Sequence, residues 1–422
     1  MVGQLGDAPV AAVGLAGQFF YLLNITLFGI SSGSAIFAAQ YWGARDLHNL
    51  RRTLGLCLAT GLVVALTFAF VALVFPGGVI GLYTQDPAVI GLGASYLRII
   101  AWSYAFTAVT AAFSSLIRST GNTRPPMIVG VVTLTLNIVL DYCLIFGKLG
   151  LPALGVRGSA LATAICRGLE CVTLVLLTYG RRLPVAASAR QLFSFGLTFA
   201  ARHLRLIGVV FLNEFFWALG TNVYSAIMAR LGTAAYAAYN ISATFQTLGL
   251  FFSMGCSNSC GILVGHQIGA GQPEAAYRTA RRILVIGVLG SGLIGLALAA
   301  ARQPLLSLYQ VSPAARQDAS AMLLVTGLAL AVRAFDGILI VGILRGGGDT
   351  RRAALLDVGG TWVAGIPAMA LAGFVLHLPP FWVLAAMLAE NLFKDSLGFR
   401  RFLTRRWIRS LARPMAEVVP AV

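Results

Sequence analysis

Charge is what this chain has least of. Asp, Glu, Lys and Arg together make up 11% of its 422 residues, against about a quarter in an ordinary soluble protein. So little polar side chain cannot cover the surface of a soluble domain of this length, and that class is excluded. Lysine is nearly missing: Lys148 and Lys394 stand beside 29 Arg. Histidine occurs only at 48, 203, 266 and 377, and none completes a metal spacing with the cysteines. The six cysteines, Cys57, Cys143, Cys166, Cys171, Cys256 and Cys260, all lie in apolar runs and read as small buried hydrophobes. No Gly-Lys-Ser/Thr follows the Gly-rich turns, so a P-loop is absent and any energy source is an ion gradient. The opening MVGQLGDAPVAAVGLAGQ has neither a basic n-region nor a cleavage site.

What is present is apolar. Hydrophobic residues make up 58% of the chain, and mean hydropathy is +0.83. The runs are long, continuous and rich in Leu, Ala, Val and Gly. They lack the roughly ten-residue alternation of a membrane β-barrel. An all-α polytopic membrane protein is expected, with its backbone polar groups satisfied inside helices. Eleven runs are long enough to cross a bilayer, at about 20 residues per crossing: 9–42, 53–75, 88–117, 126–146, 157–180, 206–231, 234–265, 283–301, 318–345, 354–376 and 381–399.

The formal charge of +17 is not a nucleic-acid signature, because the basic residues sit in small groups between apolar runs. Assigned to alternate sides, 22 fall on one side and 5 on the other, and four (Arg98, Arg167, Arg333, Lys394) fall within spans. The first side is therefore expected to be cytoplasmic, and with it the C-terminus.

The chain repeats itself. RSTGNTR at 118–124 returns as RGGGDTR at 345–351, Gly43-Ala44 as Gly269-Ala270, and Leu5-Gly6 as Leu231-Gly232. The shift is 226 or 227 residues throughout. Five spans of the first half map onto five of the second. The sixth, 206–231, maps onto positions before residue 5, so the chain is expected to lack one N-terminal helix of a twelve-span whole. A native eleven-span chain is the alternative. Two halves of like orientation place a binding site within or between them, as in many transporters. The expected divisions are an N-terminal lobe (1–180), a cytoplasmic connection (181–205), a C-terminal lobe (206–399) and a basic tail (400–422).

These motifs resemble the multidrug and toxic compound extrusion (MATE) family. They are L-G-x-A-x-x-A-A, Q/H-x-x-G-A and R-x-x-G-[ND]-T-R, with NIVLDYCLIFG at 137–147, GVRGSALAT at 155–163 and the ending Arg400–Trp407. The stretch LNEFFWALG at 212–220 is similar to a bacterial branch with N-E-x-x-W in its seventh helix. The resemblance implies a secondary antiporter. It would expel organic, often cationic, drugs or metabolites against H⁺ or Na⁺, with two lobes rocking between inward-open and outward-open forms. It implies no cofactor, a small organic substrate, contact with membrane lipid in a bacterial inner membrane, and a monomer. Neither nucleic acid nor catalysis enters.

Acids within a span are functional candidates by default. Glu214 is the foremost, with no basic residue within a turn of it along the helix. Asn213 can hydrogen-bond beside it, and Trp217 can offer a ring face to a cation. Asp336 follows Arg333 by three residues, so the two can form a self-contained pair as readily as an ion site. Arg167 and Glu170 are spaced alike and read mainly as mutual neutralisation. Glu170 keeps an ion role open for the N-terminal lobe. Asn137 and Asp141 share a face and, by the resemblance, pack helices near the outer end, with an ion role the lesser reading. Glu390 and Lys394 look like a structural i, i+4 pair. Asn240 and Asn258 are further polar contacts. Na⁺ at the acidic sites is the only metal binding expected. Arg345 and Arg351 are expected to meet lipid phosphates, and the run from Arg400 to Arg413 to anchor on anionic lipid. Gly261, Gly265 and Gly269 give a smooth strip for close helix contact.

Two other functions compete. A flippase for a lipid-linked oligosaccharide or precursor would use intramembrane Arg98, Arg167 and Arg333 to hold pyrophosphate. A non-transporting membrane scaffold would follow if a helix were truly missing.

Overall fold

The computed structural model describes residues 2–307, 309 and 311–412. Among these the regular structure is helical. α1 (Asp7–Gly43), α2 (Leu47–Val74), α3 (Pro76–Gly81), α4 (Pro87–Ile100), α5 (Ser103–Ser119), α6 (Arg124–Phe146) and α7 (Val156–Gly180) come first. A short α8 (Ala189–Leu192) leads to α9 (Leu197–Arg230) and α10 (Thr233–Gly269). Then follow α11 (Pro273–Ala300), α12 (Arg302–Leu306), α13 (Pro313–Gly337), α14 (Thr350–Gly359), α15 (Ile366–Ala370), α16 (Pro380–Ala386) and α17 (Leu388–Leu403). α13 runs on as a π-helix over Ile338–Arg345, and π turns at Gly360–Gly365 and Leu371–Val375 flank α15.

Local chemistry sets the ends. Asp46 caps α2 by accepting from the Asn49 amide at 3.0 Å, and Asp86 caps α4 ahead of Pro87. α3, α6, α11, α13 and α16 also carry Pro in their first turn, where its missing N–H is no loss. Gly147 closes α6 in the left-handed conformation.

Nine helices among the described residues are long and apolar enough to cross a membrane, and α4 with α5, bent by 52°, make a tenth. The expected span at 381–399 is broken at Met387 into α16 and α17, of 7 and 16 residues. The protein is a multi-pass membrane protein.

The repeat extends to the backbone. α1 and α10 each have 37 residues and start 226 apart. α2 and α11 each have 28, at the same shift. Three left-handed positions recur as well: Gly6 and Gly232 (φ 106° and 124°), Arg45 and Gly271 (59° and 75°), Gly121 and Gly348 (85° and 93°). Left-handed backbone is rare outside glycine, so its return at one shift marks two copies of one unit.

Contacts divide the chain into Met1–Ala38 with Asp46–Phe211, and Ala39–Arg45 with Leu212–Val422. In the first unit, Leu23, Leu97 and Tyr104 form the centre of a fully buried cluster. His203 of α9 is buried there between Phe37 and Phe199, its ring Nδ1 at 2.9 Å from the Phe199 carbonyl.

In the second unit, the end of α1 packs on α10. A side chain on Gly265 would come 2.7 Å from the Ala39 Cβ. The expected small-residue strip therefore does bring backbones together. Behind α17 the chain does not lie free on lipid. Trp407 is fully buried and stacks on Phe402. The Arg409 amide donates to the Gly347 carbonyl at 2.9 Å. Gln40, itself buried, donates to the Arg409 carbonyl at 3.0 Å and accepts from the Leu411 amide. Arg401 reaches buried Asp349 at 2.6 Å, Arg409 stands 3.4 Å from the same carboxylate, and Arg405 pairs with Glu274 and lies over Tyr277. The reading of Arg400–Arg413 as a lipid anchor is thus corrected over 400–412: three of these Arg are engaged by protein carboxylates, because the buried Trp407 draws the segment inward. Arg413 and the rest of the expected tail lie outside the described residues.

Candidate functional site

The second unit carries a polar network inside its spans. Lys394 on α17 has a side chain only 2% exposed. Its ammonium donates to Asp357 Oδ1 of α14 at 2.6 Å and to Glu390 Oε1 one turn back on α17. It stands 3.8 Å from Asp336 Oδ2 of α13. Three carboxylates from three elements therefore face one ammonium.

The network extends to α9. Asn213 Nδ2 donates to Asp357 Oδ2 at 2.9 Å. Glu390 also accepts from Thr361 Oγ1 at 2.8 Å and from the Tyr224 hydroxyl at 2.5 Å. Glu214, next to Asn213, accepts from Arg345 Nη1 at 2.6 Å. Two acceptor atoms in the group have no hydrogen-bond partner among the described residues: Asn213 Oδ1 and Asp336 Oδ1.

The π turn Gly360–Gly365 makes this closeness possible. A Cβ on Gly360 would lie 2.5 Å from Lys394 Cγ and 2.7 Å from its Cε. One on Gly365 would collide with the Tyr224 hydroxyl and come 2.9 Å from the Glu390 Cβ. Only glycine lets the lysine stem and the tyrosine lie against this backbone. π insertions re-aim side chains in just this way and recur at functional sites.

Residues 1–143 and 210–378 match the MatE family. The chain belongs to the MatE family. It shares the efflux-transporter family whose motifs both of its halves resemble. This MatE chain is 27% identical to a probable multidrug resistance protein NorM of Thermotoga maritima, over 96% of its own length and 87% of that protein's. It is 28% identical to the multidrug resistance protein NorM of Burkholderia vietnamiensis, over 92% and 86%. Among solved structures it resembles the Vibrio cholerae MATE transporter VcmN in its bent form, with a TM-score of 0.85 at 21% identity over 96% of this chain and 90% of that one. It also resembles an outward-facing multidrug resistance MATE family transporter, with a TM-score of 0.86 at 18% identity over 95% and 88%. These two likenesses concern the fold.

Several sequence expectations change on this MatE chain. Glu214 does not stand alone: Arg345, 131 residues on, holds it. Arg345 is only 4% exposed, so it does not meet lipid phosphates; the π-helix turns it inward. Arg333 does not close on Asp336. Its Nη2 donates to Met387 Sδ at 3.2 Å, and Lys394 is the cation listed nearest Asp336. Glu390 and Lys394 are not a private pair but the hub of the network. Arg167 and Glu170 do bond each other, at 2.9 Å.

The remaining candidates are placed elsewhere. Asn137 and Asp141 belong to the first unit, where Asn137 Nδ2 and Asp141 Oδ1 are buried without a hydrogen-bond partner among the described residues. Trp217 is 45% exposed. Asn240 bonds the Tyr236 carbonyl of its own helix, and Asn258 is exposed. Sequence reading overlooked Asp357, Thr361 and Tyr224. Asp357 and Thr361 share a helix face at i, i+4 just before a Gly-Gly pair that repeats no loop motif. That spacing is the signal that was there to be read.

Proposed function

We propose that this MatE chain is a secondary antiporter. It exports small organic compounds, cationic drugs or metabolites among them, across the bacterial cytoplasmic membrane in exchange for H⁺ or Na⁺. The relatives' names support multidrug efflux. The skewed Arg distribution supports a cytoplasmic C-terminus.

The observation that carries the coupling reading is the surplus of carboxylates in the second unit. Asp336, Asp357 and Glu390 share the one ammonium of Lys394, while Glu214 is matched by Arg345. Uncompensated acid within a span is costly, and a bound H⁺ or Na⁺ removes the cost. Asp336, with one oxygen unpartnered, is the carboxylate most open to such an ion. Glu214 and Asn213 link that centre to α9. Asn137 and Asp141 form a second candidate in the first unit. The flippase reading draws little support, since Arg167 is neutralised by Glu170 and Arg333 is held by Met387.

The test is ethidium transport in proteoliposomes under an imposed pH gradient or an imposed Na⁺ gradient. Wild type should move the dye under one of them, and the effective gradient identifies the ion. Glu214→Gln and Asp336→Asn should each abolish coupled transport while inserting into membranes as wild type does. Full transport by both variants would remove these residues from the mechanism.

A further inference from the structure

We propose that Lys394 is a positioning residue for coupling: its ammonium is a tethered cation that stays on Asp357 and Glu390 while Asp336 holds a transported ion, and moves onto Asp336 when that ion leaves. The inference rests on the antiport reading and assigns Lys394 a role that reading does not require.

The geometry is that of a group between two seats. Nζ is at hydrogen-bond distance from Asp357 and Glu390, and 3.8 Å from Asp336 Oδ2. A shift of about 1 Å would bring the third contact to an ordinary charged hydrogen-bond length. The stem can make that shift because it runs past Gly360, where no side chain pins it. Asp336 Oδ1 has no partner, so the second seat has an acceptor to offer.

The surrounding charges leave this task to Lys394. Arg333, one turn before Asp336, donates to Met387 Sδ. Arg345 is committed to Glu214. Tyr224 donates to Glu390 and so holds the first seat in place when the ammonium departs. Asp395, beside Lys394, adds a further carboxylate whose Oδ1 is unpartnered. One ammonium cannot satisfy Asp357, Glu390 and Asp336 together. An ion on Asp336 therefore drives Lys394 toward the other two, and departure of the ion draws it back; each equilibrium biases the other. With Asp336 emptied and covered by Lys394, the carrier is neutral there without taking up another ion. That closes the route by which a gradient would drain without export.

The experiment measures leak. Full-length protein in proteoliposomes is given a pH gradient or a Na⁺ gradient with no organic compound present. Wild type should hold both. Lys394→Met should dissipate the coupling-ion gradient about ten-fold faster, as expected for loss of one charged hydrogen bond. Adding Asp336→Asn to it should restore tightness. Because Lys394→Met alone strands two carboxylates, Asp357→Asn/Lys394→Met, which keeps the charge balance, is run alongside and should leak likewise. Either variant, eluting as wild type on size exclusion yet holding both gradients as wild type does, would overturn the proposal. Loss of that elution peak in both variants would also overturn it, by making the lysine purely structural. Ethidium transport by wild type reads the antiport proposal separately: its absence would sink that reading, while the leak comparison still decides Lys394.

Discussion

Gly43 and Gly269, 226 residues apart at matching places in the two repeats, each lie against the other's helix. A side chain on Gly43 would strike the His266 carbonyl, and one on Gly269 the Gln40 carbonyl. Gln40 and His266 are themselves separated by 226 residues, so the contact is reciprocal. The motif repeated in sequence meets itself in space.

Gly43→Ala and Gly269→Ala should therefore each destabilise the protein by about 1–3 kcal/mol, the usual cost of forcing atoms into packed structure. Backbone carbonyls, unlike long side chains, cannot step aside. Thermal unfolding in detergent checks this, with Gly255→Ala as the control, since a Cβ there meets nothing within 4 Å. A control as damaging as the two contact variants would defeat the explanation.

Arg345→Met should destabilise by about 3–5 kcal/mol, because it leaves the Glu214 carboxylate unpaired inside a span. The double variant Glu214→Gln/Arg345→Met should recover most of that loss, since no charge remains stranded. The two midpoints, compared in one detergent, give the answer. An Arg345 that merely touched lipid would show no such recovery.

The segment after α17 should be a stabilising strap. Trp407→Ala removes a fully buried indole and should cost about 3–5 kcal/mol. It should also release the Gln40 contacts, exposing the Arg409 peptide bond to trypsin. Cleavage there at the wild-type rate would mean that the strap is held by other contacts.

Arg45 adopts a left-handed φ of 59° where the second repeat has Gly271. Arg45→Gly should relieve that strain and stabilise by about 0.5–1 kcal/mol. The converse change, Gly271→Ala, should lower the unfolding midpoint. Equal and opposite shifts are not required, because glycine also loosens the unfolded chain.

Much of the architecture was legible because its signals are local or periodic. Apolar runs of spanning length, Pro at helix starts and the RSTGNTR/RGGGDTR pair needed no knowledge of packing. The site was legible only in part. Glu214, Asp336, Glu390 and Lys394 stood out as charges in apolar sequence, but their partners did not. Arg333 was three residues from Asp336 and turned instead to Met387. Arg345 seemed to belong to a surface turn and was inside. Helical spacing says which side chains share a face, not which neighbouring helix that face meets.

The sequence by itself determined a polytopic helical protein, the repeat, the candidate spans and the resemblance to MATE transporters. These follow from hydropathy and from motifs read along one dimension, and a bilayer leaves a strongly apolar chain few other options. The tertiary structure decided who pairs with whom. Glu214 and Arg345 are 131 residues apart, Asn213 and Asp357 144, and Tyr224 and Glu390 166. Such pairs exist only once α9, α13, α14 and α17 are packed side by side, and glycines at 360 and 365 decide how closely they can approach. In a low-dielectric interior each charge must find a partner, but which partner it finds is settled by helix packing.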